Sequence, residues 1–240
     1  MKIRSIRREI QILRVYALLS TIAAGTFLLG AVYEARHVSF DTITTHRINV
    51  LDREGKLAMT ITNHDDFPPP IVNGKRVKRS SGNDENGIVF YNQLGNEQGA
   101  LIWDGSIAKD GSYSSAVVLS SDSVKTDQLL QVGDSNVNGR ESAFLIGWNQ
   151  PKMTPALQAA LDAFTAAKTD AERRTIRREY PELNAPTRFF FGYDADNVSR
   201  VTLHDGKGKA RIKMFVTAGG QAKLQFLDKY GKITYQIPQE

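Results

Sequence analysis

The chain has 240 residues, of which 41% are hydrophobic, no cysteine, and a formal net charge of +5. That apolar content is enough for a core, which excludes disorder of the whole chain, and the lack of cysteine excludes a disulfide framework or a thiolate zinc site. Residues 1–36 hold six Lys/Arg against two Asp/Glu, so the remainder is nearly neutral, and no basic footprint for nucleic acid is left.

The chain opens with "MKIRSIRREIQILR", a basic segment over 1–14, followed by "VYALLSTIAAGTFLLGAVY" over 15–33, which carries no charge. At about 1.5 Å per residue this run spans roughly the hydrocarbon thickness of a bilayer. The positive flank predicts a retained anchor with a cytoplasmic N-terminus and a translocated, periplasmic or extracytoplasmic remainder. A cleaved signal peptide is the rival reading, with a shorter apolar core and a small-x-small site; "LGA" and "YEA" fit that site poorly. Ile3, Ile6, Ile10, Leu13, Ala17, Ser20, Ala24, Phe27 and Ala31 follow heptad a and d spacing. Ala17, Thr21 and Gly25 form a small-xxx-small row, so the helix is suited to self-association and the protein to a homo-oligomer. An amphipathic start lying on the membrane, followed by an ordinary span, accounts for the same residues.

After a spacer over 34–42 the pattern changes to short alternating segments from 43 to 240: "ITTHRINVL", "KLAMTIT", "GIVFYN", "GALIWDG", "SAVVLSS", "QLLQVGD", "ESAFLIGW", "TRFFFGY", "RVTLHD", "ARIKMFVT", "AKLQFLD" and "KITYQIP". Period-two alternation with turn signals every 8 to 12 residues in the last third predicts a mainly β, antiparallel multi-hairpin sheet, sandwich-like or barrel-like. Helical crossovers between strands are missing, which argues against a parallel sheet. Asp52-x-x-Gly55-Lys56, Asp205-x-x-Gly208-Lys209 and Asp228-x-x-Gly231-Lys232 each fall between two such strands, with Asn92-x-x-Gly95 as a variant. Aspartate at the first position of a turn and glycine at the fourth are what a hairpin needs, so these carboxylates read as turn formers rather than ligands.

One stretch, 153–183, breaks the alternation. Thr154-Pro155 caps one helix, Thr169-x-x-Glu172 is a capping box for a second, and Leu157, Leu161 and Phe164 share a face, so a helical hairpin is inserted between two strands. Arg173, Arg174, Arg177 and Arg178 form a stripe on the second helix, a solvated face or a contact for an anionic lipid headgroup or acidic partner. The basic loop "NGKRVKR" at 73–79, after "FPPP", invites the same two readings.

Candidate chemistry is sparse. In "DSNVNGRESAFL", Asp134, Asn136, Asn138 and Gly139 match the first half of a calcium loop, but the twelfth position is Leu145 instead of glutamate. Calcium is the one cofactor the sequence suggests, against a polar hairpin loop. His64, Asp65 and Asp66 are adjacent, as a metal site or an acid/base group would need, with no second histidine at ligand spacing. There is no Gly-x-Ser-x-Gly elbow and no phosphate loop, and Ser80 and Ser81 stand in a loop without an evident base. Trp103, Trp148 and Phe189, Phe190 and Phe191 alternate along strands and are expected in the core.

The order "RINVLDREGKLAMTITN", "GIVFYNQLGNEQGALIWDG", the "DSNVNGRESAFLIGW" hairpin, a helical insertion after "WNQP", and the closing hairpins from Arg200 resembles a widespread group of uncharacterised bacterial proteins with one N-terminal membrane segment. The resemblance covers most of 40–240. It implies architecture and bacterial origin, and no activity. The expected function is non-enzymatic binding or scaffolding by an anchored envelope protein through its β surface. The competing reading is a metal-dependent envelope hydrolase using the acidic loops around His64 or Asp134.

Overall fold

The computed structural model describes residues 2–34, 39–72, 75–76, 85–124 and 126–239. The chain divides into two units, Met1–Thr45 and His46–Glu240. The first contains α1, Lys2–Glu34. Within it, Glu9–Phe27 is 19 residues of mean hydropathy 1.4, long and apolar enough to cross a membrane. Hydroxyls in this stretch bond back to helical carbonyls, Thr21 Oγ1 to Ala17 O at 2.8 Å and Ser20 Oγ to the same oxygen at 3.0 Å. These hydroxyls are thus satisfied within the helix, as an apolar environment requires, while the charged Glu9 and Arg14 lie in the first part of the window.

The second unit is built on one antiparallel sheet of twelve strands. These are β1 (Arg47–Leu51), β2 (Leu57–Thr62), β5 (Asn86–Tyr91), β6 (Glu97–Ile107), β7 (Tyr113–Asp122), β8 (Gln128–Val137), β9 (Arg140–Trp148), β10 (Thr187–Tyr193), β11 (Ser199–His204), β12 (Ala210–Val216), β13 (Ala222–Leu227) and β14 (Ile233–Ile237). The short β3 (Ile71–Val72) and β4 (Lys75–Arg76) form a separate ribbon. In the large sheet every strand pairs with the strands before and after it in the chain, apart from that ribbon. The antiparallel multi-hairpin sheet therefore forms as its alternation predicts, but it stays open. β1 and β14 are its two edges among the described residues, so the sheet does not close into a hydrogen-bonded barrel.

The turns explain why the strands follow one another so simply. Asp52 Oδ1 accepts the backbone N–H groups of Glu54 and Lys56, both at 2.9 Å, while the Gly55 N–H bonds to Asp52 O and Gly55 takes φ +81°. The same arrangement recurs at Asp205 with Gly208 and at Asp228 with Gly231. Asn92 uses its amide oxygen in the same way. A further copy, which sequence reading missed, runs from Asp194 to Asn197, where asparagine at φ 57° takes the left-handed position of glycine. This is a type I turn with a left-handed residue re-entering the ladder. The Lys209 N–H, with that of Lys207, holds the Asp205 carboxyl below its ordinary range, and the Lys232 and Tyr230 N–H groups do the same for Asp228.

The helical hairpin forms between β9 and β10. It consists of α2, Pro155–Ala166, capped by Thr154, and α3, Asp170–Glu179, whose capping box joins Thr169 and Glu172 in both directions. A 3-10 turn, Pro181–Leu183, leads back to the sheet. Leu157 and Ala160 are buried.

The main core is small and lies on one face of β2, β5 and β6. Val89, Tyr91 and Ala100 are buried there beneath Phe67, which comes from the segment between β2 and β3. Gly87 makes room for that ring, because a Cβ at this position would stand 3.0 Å from Phe67 Cε2 and 2.9 Å from Leu101 O. Truncating Phe67 removes the lid of this core. Phe67→Ala is expected to cost about 3 kcal/mol of unfolding free energy, read from urea denaturation.

The turn reading is equally checkable. Asp228→Ala removes the acceptor of two backbone N–H groups and is expected to lower the midpoint of thermal unfolding, whereas Asp228→Asn, which keeps an accepting oxygen, is expected to melt close to the parent.

Candidate interaction surface

Residues directly opposite on neighbouring strands share a face, so the pairing register traces rows across the sheet. One row runs through all twelve strands: Ile48, Ile61, Ile88, Leu101, Leu119, Val132, Leu145, Phe191, Val201, Met214, Leu224 and Ile237. Every member is apolar. The next row on the same face carries Val50, Met59, Phe90, Leu130, Phe189, Leu203, Ile212, Phe226 and Tyr235, interrupted by Gly99, Ser121 and Gly147. Phe189 lies over Gly147, where a Cβ would come within 2.6 Å of its ring, so the gap left by that glycine is filled by the neighbouring aromatic.

The row on the opposite face reads Asn49, Thr60, Val89, Ala100, Ser120, Gln131, Ile146, Phe190, Thr202, Lys213, Gln225 and Gln236. Its polar members pair laterally, as Thr60 Oγ1 does with Asn49 Oδ1 at 3.0 Å and Gln225 Nε2 with Gln236 Oε1 at 2.6 Å. The buried core sits on this second face.

The apolar face is the uncovered one. Leu119 is 44% exposed, Val132 43%, Phe191 59% and Met214 53%. The expectation that the aromatic strand residues lie in the core is corrected here for Phe191 and for Trp103, which is 39% exposed. Both alternate onto the face that is exposed among the described residues. Large apolar patches of this kind mark sites where something else binds.

Of the candidate residues of the sequence, Asp134 shares the apolar face, two residues from Val132 and opposite Val117, and the others serve the fold or lie elsewhere. Asp134 and Asn136 are two apart on β8, paired with Ala143 and Glu141 of β9. Asn136 Oδ1 accepts the Gly139 N–H at 2.9 Å and its Nδ2 donates to Glu141 Oε1 at 3.0 Å. Asn138 turns the hairpin at φ 53°, and its Oδ1 accepts the Tyr113 N–H at 2.7 Å. The stretch that resembles half a calcium loop is thus two strands and a two-residue turn, with its amide groups used inside the hairpin. Among the described residues no group of three or more His, Asp or Glu side chains is placed to hold a metal.

His64 Nδ1 is 2.7 Å from Asp65 Oδ1, both side chains exposed, while the His64 N–H bonds to Asn86 Oδ1 and the Asp66 N–H to Asn63 Oδ1. These contacts shape the segment that delivers Phe67 to the core. The arginine stripe divides: Arg173 binds Asp170 at 3.3 Å and Ala167 O at 3.1 Å, and Arg177 stacks on Phe164 at 4.7 Å, leaving Arg174 and Arg178 exposed on α3. Of the basic loop 73–79 only Lys75 and Arg76 are described, as β4; its remaining residues, and Ser80 and Ser81, lie outside the described residues.

One acidic position escaped sequence reading. Asp122, at the end of β7, is 8% exposed, and burial together with the nearby charges of Glu97 and Asp127 pushes its carboxyl up to about 7. No local sequence signal marks it, because its burial depends on the turn between β5 and β6.

No protein-family model matches this chain, and no curated protein matches it either.

The raised Asp122 carboxyl has a definite consequence for stability. Between the ordinary carboxylate range and about pH 7 the folded chain holds this proton more tightly than the unfolded chain does. Stability is therefore fully present below that window and falls as pH rises through it. Asp122→Asn is expected to be more stable than the parent at pH 8 by about 1–3 kcal/mol, with the difference shrinking by pH 5, as measured by denaturant melts at both pH values.

Proposed function

We propose that this protein is a bacterial envelope component, held in the inner membrane by α1 with its N-terminus in the cytoplasm and its β unit on the periplasmic side. Its function is non-enzymatic binding or scaffolding through the apolar face of the sheet. The observation that carries this reading is the unbroken row of twelve apolar side chains, one per strand, whose exposed members face outward. A soluble β domain of this size ordinarily buries such a row; here the chain spends its core on the opposite face instead.

The anchor reading is supported by the 19-residue apolar window and by the cluster of Lys and Arg before it. Among the described residues the acidic side chains form no group placed to hold a metal, and Glu97, Asp122 and Asp127, which lie near one another, have no His beside them among the groups that shift the Asp122 carboxyl.

The protein is expected to stay in the membrane pellet after alkaline carbonate extraction. In intact spheroplasts its β unit is expected to be digested by added protease. Release into the soluble fraction, or protection of the β unit until the inner membrane is opened, would overturn the proposed anchoring.

A further inference from the structure

The partner that covers the apolar face can be narrowed by its chemistry. From β1 to β14 the central row crosses eleven strand spacings, roughly 50 Å at about 4.8 Å each. The row contains no charge and no hydrogen-bonding side chain. A surface that fits it must itself be a long, uncharged strip that follows the twist of the sheet, with side chains repeating at the strand spacing. The same row on another molecule of this chain meets that description.

We propose that the apolar face is covered by a second copy of this chain, the two sheets packing face to face into an intermolecular sandwich. This rests on the reading of the face as a binding surface and names its partner. Aligned sheets pack about 10 Å apart with interdigitating side chains, the geometry that rows of Leu, Val, Met and Phe satisfy.

The area is sufficient. With some fourteen large side chains each roughly half exposed, a copy offers on the order of 1,000 Å², above the about 800 Å² per partner of a standard stable interface. A two-fold axis brings one patch against itself, so a single apolar face serves both molecules.

A lipid surface fits less well. Strands β10 to β14 are five to seven residues long, so their apolar face is only two or three residues deep, too shallow to cross a bilayer. The anchor acts in the same direction. Ile10, Leu13, Ala17 and Ala24 repeat at heptad spacing on an exposed helix, and a Cβ at Gly25 would meet nothing within 4 Å, leaving room for a neighbouring helix. Two copies held in one membrane meet at high effective concentration, which favours a face-to-face contact that dilute molecules would form more slowly.

The lack of cysteine makes the test clean, because an introduced thiol is the only one in the chain. Full-length Met214→Cys and Arg200→Cys place thiols on opposite faces at positions that a lone chain leaves comparably open, 53% for Met214 and 42% for the Arg200 side chain. In membranes, a polar maleimide is expected to label Cys at 200 at least ten times faster than Cys at 214. The detergent-solubilised full chain is expected to show a protein mass that is a discrete multiple of 26.7 kDa. Leu119→Glu combined with Met214→Glu is expected to reduce that mass to a single chain while the strand signal in circular dichroism persists. Met214→Leu keeps the multiple.

Equal labelling of both positions together with a single-chain mass would overturn both the self-association and the use of this face for binding. Protection of position 214 with a single-chain mass would overturn self-association alone and leave the face as a surface for lipid or another protein. Should the double glutamate variant fail to fold, the labelling ratio and the mass of the parent chain still decide between these outcomes.

Discussion

The whole β unit depends on hairpin turns that return the chain to the sheet in the correct register. An aspartate or asparagine oxygen ties two backbone N–H groups of the turn, and a residue with positive φ lets the next strand begin. Side chains alternate with a period of two, so a slip of one residue at any single turn would carry every later apolar side chain to the wrong face. Repeated turn chemistry is what keeps Ile48 at one edge and Ile237 at the other on the same side of twelve strands.

A meander of this kind has consequences for packing. Sequential hairpins need only local contacts, and they extend the sheet without bringing a second layer over it. Phe67 closes over Val89, Tyr91 and Ala100, and α2 buries Leu157 and Ala160. Much of the remaining apolar alternation is exposed among the described residues, although a half-buried sheet is stable only when its apolar face is covered. What would be the inner layer of a sandwich in a self-sufficient domain therefore stays exposed among the described residues.

Most of the polar residues with a local motif are engaged in architecture. Asn136 and Asn138 hold a hairpin together, Asp205 and Asp228 close turns, and His64 with Asp65 belongs to the segment that positions Phe67. Their local sequence context made turn formation legible, because an Asx oxygen followed by a left-handed glycine acts over four or five residues. Asp194 to Asn197 was missed since asparagine stands where glycine was sought. Asp122 was not legible at all, because its burial comes from a turn some 25 residues away in the chain.

The sequence by itself determined the apolar helix at the N-terminus, the antiparallel hairpins, their turns, and the capped helical insertion between β9 and β10. Each of these is set by hydropathy, period or capping within a window of a few residues to one helix length. Only the tertiary structure decided that the sheet stays open, that its small core lies on one face of three strands, and that Phe191, Met214 and Trp103 stand exposed. Alternation says which side chains share a face, but whether that face is covered depends on long-range packing, and no local pattern encodes that.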